Sequence, residues 1–179
     1  MSIPGQLDID GRVTPAGLGV RRLAFVVRLA FVVLGRPQPS GSKRAFPIRR
    51  GGHVTGVAVT DDAKRSRPWK DSVAAAANLA HAGGRPLLGP LELHVDFYLA
   101  RPAGHYGTGR NQDRVKPSSP AWPAVRPDAT KLVRAVEDAL TGLVWRDDAQ
   151  IVTQTVRKLY GTPERAEVTV STLEPEAPA

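Results

Sequence analysis

The chain has 179 residues, 41% of them hydrophobic, which suffices for one domain with a real core plus loose ends. Twenty-five Lys and Arg against 17 Asp and Glu leave a net charge of +8, a balance that suits a polyanionic partner. The absence of cysteine excludes disulfides, thiol catalysis and Cys-based zinc sites, and His53, His81, His94 and His105 lack the spacing of zinc ligands.

Residues 1–21 are rich in Gly and Pro without periodicity and read as a mobile leader. RLAFVV at 22–27 then recurs at 28–33. Because six is even, Leu23, Phe25, Val27, Leu29, Phe31 and Val33 are expected on one face of a strand. The first copy is either an edge-pairing extension or a duplication without a role. Arg28 interrupts this apolar stretch, which is too short and too β-branched to span a membrane. No secretory signal is visible, so a cytosolic chain is expected.

Gly35–Arg44, GRPQPSGSKR, has too much Pro and Gly for regular structure. It reads as a basic loop that lies against phosphates through Arg36, Lys43 and Arg44, or else as a solvated turn. A hairpin of Ala45–Arg50 and His53–Val59 is expected around Gly51-Gly52. The alanine-rich run from Pro68 to Ala82 predicts a helix ended by Gly83-Gly84, with Trp69 as a packing anchor. Leu91, Leu93, Val95, Phe97 and Leu99 alternate with Glu92, His94, Asp96 and Tyr98, the clearest strand in the sequence, with Asp96 facing outward. Residues 101–126 form a long connection rich in Pro, Gly and Arg; connections of this length are functional or disordered. It carries Arg101, Arg110, Arg114, Lys116 and Arg126 toward Asp128.

The stretch from Pro127 to Val152, PDATKLVRAVEDALTGLVWRDDAQIV, concentrates the chemistry. Leu132, Val133, Val136, Ala139, Leu140 and Leu143 recur at helical spacing, with Lys131, Arg134 and Asp138 on the opposite arc. The helix is expected at 129–141, with Asp128 as its cap and Gly142 as its stop. A strand from Gln150 to Tyr160 follows, so Asp147 and Asp148 stand at its entrance. Carboxylates brought together from the helix start and the strand entrance suit a hard cation such as magnesium. A last strand, Glu167–Leu173, precedes a tail at 174–179.

The pattern P-D-x-x-K-L-x-R-A-x-x-D-A-L-T-G, followed after a short gap by D-D-A-Q-I-V, resembles the RusA family of Holliday-junction resolvases. The likeness extends through G-R-P-x-P at 35–39, S-K-R at 42–44 and the Trp69-Lys70 helix start, and so covers roughly 29–172. It implies a small homodimeric endonuclease that uses Mg2+, with Mn2+ as a substitute, on branched DNA in recombination and repair. Carried over by position, Asp128 matches the first acid of the family's D-x-D and Asp148 its later metal-binding acid, with Asp147 beside it as an orienting or third ligand. Arg134 occupies the place of a catalytic lysine, and Lys131 follows the second acid of D-x-D. That second acid is Thr130 here, whose hydroxyl brings no formal charge. Asp96 is the candidate to supply what Thr130 lacks, or else lies on a solvated strand face, and Asp138 either supports Arg134 from one helical turn away or forms an ordinary helix salt bridge with it. The basic 101–126 segment then becomes an arm that orders on the junction. The expected architecture is one α+β domain spanning 22–173, a mixed sheet flanked by two helices.

Overall fold

The computed structural model describes residues 23–41, 43–61 and 66–175. The leader expected at 1–21 lies outside the described residues. In chain order the elements are β1 (Leu23–Leu34), β2 (Lys43–Arg50), β3 (His53–Asp61), α1 (Ser66–His81), β4 (Leu91–Leu99), α2 (Ala129–Leu140), β5 (Ile151–Tyr160) and β6 (Arg165–Pro175). The final strand thus takes up the first two residues assigned to the tail, and Lys43 and Arg44 open β2 rather than closing a loop.

Four strands form one mixed sheet in the order β1-β6-β4-β5, with β4 and β5 parallel and the other pairs antiparallel. The single β4-to-β5 crossover carries the 101–128 connection and α2. A parallel pair requires such a long return path. Helix α1 packs over β1 and α2 over β5, and the helices also touch each other, so both cover the same face. The core lies between these two layers. Leu91, Leu93, Val95 and Phe97 are fully buried on β4, facing Val73 and Ala77 of α1 and Leu132, Val136 and Leu140 of α2. Trp69 is 5% exposed, the anchor expected at the start of α1.

The described part of the repeat, residues 23–33, lies in one continuous strand, but its pairing with β6 changes parity part-way along. In β1 the pairing shifts at Arg28, where Val27 opposes Ser171 and Leu29 opposes Val170. One extra residue inverts the alternation, so the two copies stand at opposite parity against β6.

Among the described residues no helix packs on the second face of the sheet, which carries polar side chains of β4. Asp96 does not reach toward water there; it is 6% exposed. Arg157 on the neighbouring strand donates to both its carboxylate oxygens, through Nε at 2.6 Å and through Nη2, and His94 Nε2 lies 3.2 Å away. The hydrogen bond from Arg157 holds the Asp96 carboxyl below its ordinary range, against the opposing effect of burial.

The connection 101–126 is folded rather than a loose arm. Gly107 N–H bonds Arg114 O, Lys116 N–H bonds His105 O, and Ser119 Oγ donates to His105 O. Arg101 stacks over the Tyr160 ring at 4.1 Å and donates to Pro120 O, while Lys116 Nζ donates to Gly104 O. Two of the five cations expected on DNA are therefore engaged in holding this loop. Arg110, Arg114 and Arg126 are exposed, with no ion pair among the described residues.

Candidate active site at the two ends of one helix

Helix α2 organises the site. Its apolar stripe, Leu132, Val133, Val136 and Leu140, is buried, so Thr130, Lys131, Arg134 and Asp138 are exposed along the outer arc. Lys158 Nζ on β5 donates to Val125 O at 2.7 Å and Pro127 O at 2.9 Å, which fixes the entry to the helix. On the other side, Ser40 N–H bonds Lys131 O at 2.8 Å and so holds the 36–40 loop against the first turn.

Asp128 occupies the N-cap position, yet its side chain makes no capping hydrogen bond. The carboxylate is 54% exposed and lies 3.5 Å from Lys131 Nζ. Together with Arg36, Arg126 and the Pro37–Pro39 turn, these two residues line a cleft of about 550 Å³. Three cations therefore surround one exposed carboxylate beside the positive end of a helix, with Lys131 paired to Asp128 and Arg36 Nε 3.9 Å from Glu164. The structure brings together Asp128, Lys131, Arg36 and Arg126 from the residues singled out in the sequence. Lys43 and Arg44 belong to β2, and their side chains lie outside the described residues.

The D-D-A-Q run has a physical explanation at the other end of α2. Asp147 caps a short turn over residues 148–150: its Oδ1 accepts from Ala149 N–H at 2.8 Å, and Gln150 Oε1 accepts from Arg146 and Asp147 N–H. The Gln150 amide donates in turn to Leu87 O and Gly89 O. This bracing presents Asp148, whose Oδ1 accepts from Trp145 Nε1 at 3.0 Å and is also hydrogen-bonded to Thr141 Oγ1. Trp145 is fully buried, so Asp148 is oriented by a rigid donor although the carboxylate itself is exposed. Asp147 spends one oxygen on its cap and orients Asp148.

Glu137 was not singled out in the sequence and joins this end of the helix. It is half-buried and accepts from Gln154 Nε2 at 2.6 Å. Burial is the largest reason why its carboxyl is raised above the ordinary range; the negative charges of Asp148 and Asp138 add to that. The available signal was its step along the helix, four residues from Val133 and three from Leu140, which places it at the border of the apolar stripe.

Asp138 pairs with Lys70 Nζ at 2.6 Å and accepts from Ser40 Oγ at 3.0 Å, so it clamps α1 and the 36–40 loop to α2 rather than partnering Arg134. Asp96 sits on the far face of the sheet from α2 and does not replace the carboxylate missing at Thr130.

The expectation that Asp128 and Asp148 converge within one chain fails. Asp128 is the N-cap of the 12-residue α2, and Asp148 touches its C-cap, Thr141. Thirteen steps of about 1.5 Å separate the two caps by roughly 20 Å. The Gly142–Trp145 backbone bond keeps the following turn at that far end. Among the described residues no three His, Cys, Asp or Glu side chains gather as a metal site. A single copy does not fit the magnesium centre that the resemblance implies.

Comparison with known proteins gives two findings. The family model described as Endodeoxyribonuclease RusA matches residues 36–171. The chain is also 30% identical over 142 residues to "Uncharacterized protein YqaN" of Bacillus subtilis (strain 168), covering 79% of this chain and 94% of that protein.

Proposed function

Since the chain belongs to the RusA family of endodeoxyribonucleases, we propose that it resolves four-way DNA junctions with magnesium held between two copies of itself. The observation that carries this reading is the separation of Asp128 and Asp148 to opposite ends of α2. A two-fold axis crossing the helix near its middle runs two copies of α2 antiparallel. The N-terminal Asp128 of one copy then comes beside the C-terminal Asp148 of the other, twice. Each such pair of carboxylates would hold Mg2+ or Mn2+, hard cations that take oxygen ligands. The ion, when bound, polarises the phosphate and acidifies an attacking water.

The chain's own residues do the rest. Trp145 and Thr141 hold Asp148 in one orientation, and Asp147 and Gln150 hold its backbone. Lys131, Arg36 and Arg126 receive phosphate oxygens in the cleft at Asp128, and Arg134, one turn further, stands on the same exposed arc to offset charge developing on the phosphate. Arg110 and Arg114 supply affinity that falls as salt rises. The two-fold symmetry of a four-way junction matches a dimer that offers one site to each of two opposed strands. No helix among the described residues is long and apolar enough to cross a membrane, and we place the protein with its DNA in the cytoplasm.

A non-catalytic junction-binding protein is the second reading, favoured by Thr130 in place of an acid and by the absence of a three-carboxylate cluster among the described residues. A broader flap or fork nuclease is the third. One assay separates them: magnesium-dependent cutting of a mobile four-way junction against flap and duplex DNA of matched sequence. The proposal expects paired nicks in the junction alone, with Asp148→Asn abolishing cutting and sparing binding. Binding without nicks supports the second reading, and equal cutting of flaps supports the third.

A further inference from the structure

The β2–β3 hairpin is the one part of the described fold that joins neither layer. It forms a separate two-stranded sheet, and its strands pack on each other rather than into the body. A lone hairpin is at best marginally stable in water, so its exposed surface calls for a partner. That surface is apolar on both faces. Phe46 and Ile48 stand on one face, 49% and 50% exposed, opposite the small residues Ala58 and Gly56. Gly56 offers no side chain opposite Ile48, whose Cδ1 borders the space a side chain there would occupy. The other face bears Val57 and Val54, 63% and 56% exposed.

Charge selects the occupant. The segment 43–61 carries Lys43, Arg44, Arg49 and Arg50 against Asp61, with the last two arginines beside the Gly51-Gly52 turn at the tip. The ribbon is therefore basic as well as apolar. A polyanion whose surfaces are also apolar answers both features, and unstacked bases next to phosphates are such a surface. The root of the hairpin fits this placement. The chain leaves the body beside Ser40, which is tied to Lys131 and Asp138 on the outer arc of α2. The arm therefore rises beside the proposed cutting site.

Resting on the nuclease reading above, we infer that the β2–β3 ribbon is the element that recognises branched DNA: Arg49 and Arg50 grip phosphates while Phe46 and Ile48 enter the branch point and stack against opened base pairs. A two-stranded ribbon fits a DNA groove, and apolar wedges between base steps are an established way to hold a distorted duplex. Intact duplex offers no open step, so this contact separates junction from linear DNA.

The test uses the full chain without added divalent ion, a four-way junction with 2-aminopurine at the branch, and a matched duplex. Wild type raises the 2-aminopurine fluorescence on binding. The double variant Phe46→Ala with Ile48→Ala loses that rise and weakens junction binding about tenfold, the effect of losing one base–aromatic stack. Its duplex affinity and sedimentation stay as in wild type. Phe46→Trp, which keeps a flat apolar ring, retains the signal and so separates lost stacking from a collapsed arm. The inference is overturned if the double variant keeps the fluorescence rise and the junction affinity, or if it changes the state of self-association, which would assign the arm to a second copy. Nicking of the junction by the same wild-type preparation with magnesium distinguishes the two levels. Nicking with an indifferent arm overturns only this inference, whereas neither nicking nor junction preference removes the nuclease reading with it.

Discussion

Replacing Trp145 by Phe tests whether the far end of α2 is built to hold a working carboxylate. Trp145 is fully buried, and its indole N–H donates to Asp148 Oδ1 at 3.0 Å. The substitution removes part of a buried bicyclic ring, for which about 1–2 kcal/mol is a reasonable share of a full large-to-small truncation. It also removes one hydrogen bond to a carboxylate that water can reach, about 1 kcal/mol net. The sum, about 2–3 kcal/mol, lowers the melting temperature by roughly 5–10 °C for a domain of this size. Below the transition the folded protein is expected to keep its junction affinity, because Trp145 is buried and is not among the groups proposed to touch DNA. Cutting falls by about tenfold or more, because Asp148 keeps only its Thr141 partner, as for other groups that orient a metal ligand. Thermal unfolding with single-turnover junction cleavage at 25 °C reads both effects. A protein destabilised by this amount that cuts as fast as wild type refutes the orienting role and returns Trp145 to the core alone.

Two further outcomes follow from the carboxylates with displaced acidities. Arg157 keeps Asp96 ionised to lower pH in the folded chain than in the unfolded one, so this pair contributes stability that is present above the ordinary Asp value of roughly 4 and is lost as pH falls through the folded value. Asp96→Asn is expected to cost about 1–3 kcal/mol at pH 7 in urea unfolding and to shrink the stability difference between pH 7 and pH 3; an unchanged difference would remove Asp96 from acid unfolding. Glu137 has the opposite sign, since burial raises its pKa above the unfolded value and so makes its ionised form less stable in the folded chain than in the unfolded one. Glu137→Gln keeps an acceptor for Gln154 and is expected to raise the melting temperature at pH 7, with the gain fading on acidification; a fall at pH 7 would contradict the assignment.

Much of the fold was legible because it rests on local periodicity. The spacing of Leu132, Val136 and Leu140 defined α2, and the alternation of β4 separated Leu93, Val95 and Phe97 from His94 and Asp96. What escaped depends on long-range placement. Asp138 meets Ser40 and Lys70, 98 and 68 residues away, while the nearer Arg134 was the obvious partner by helical spacing. Asp96 looked solvated because its strand position is outward, but Arg157 on the parallel neighbour covers it. The change of pairing parity within β1 follows from one bulged residue that a perfect six-residue repeat conceals. Even the distance between Asp128 and Asp148 was partly readable, since a 12-residue helix lies between them; only the turn at Gly142–Trp145 decides that the chain does not come back along it.

The shared site is tested most directly by mixing two inactive variants, Asp128→Asn and Asp148→Asn, after unfolding and refolding them together. If each site takes one carboxylate from each copy, a mixed dimer concentrates both defects in one site and leaves the other whole. Half of the dimers are mixed, so nicking should return to about a quarter of the wild-type level, with single nicks in place of paired ones. No recovery of nicking, with mixed dimers demonstrated to form, would contradict a site built across two copies.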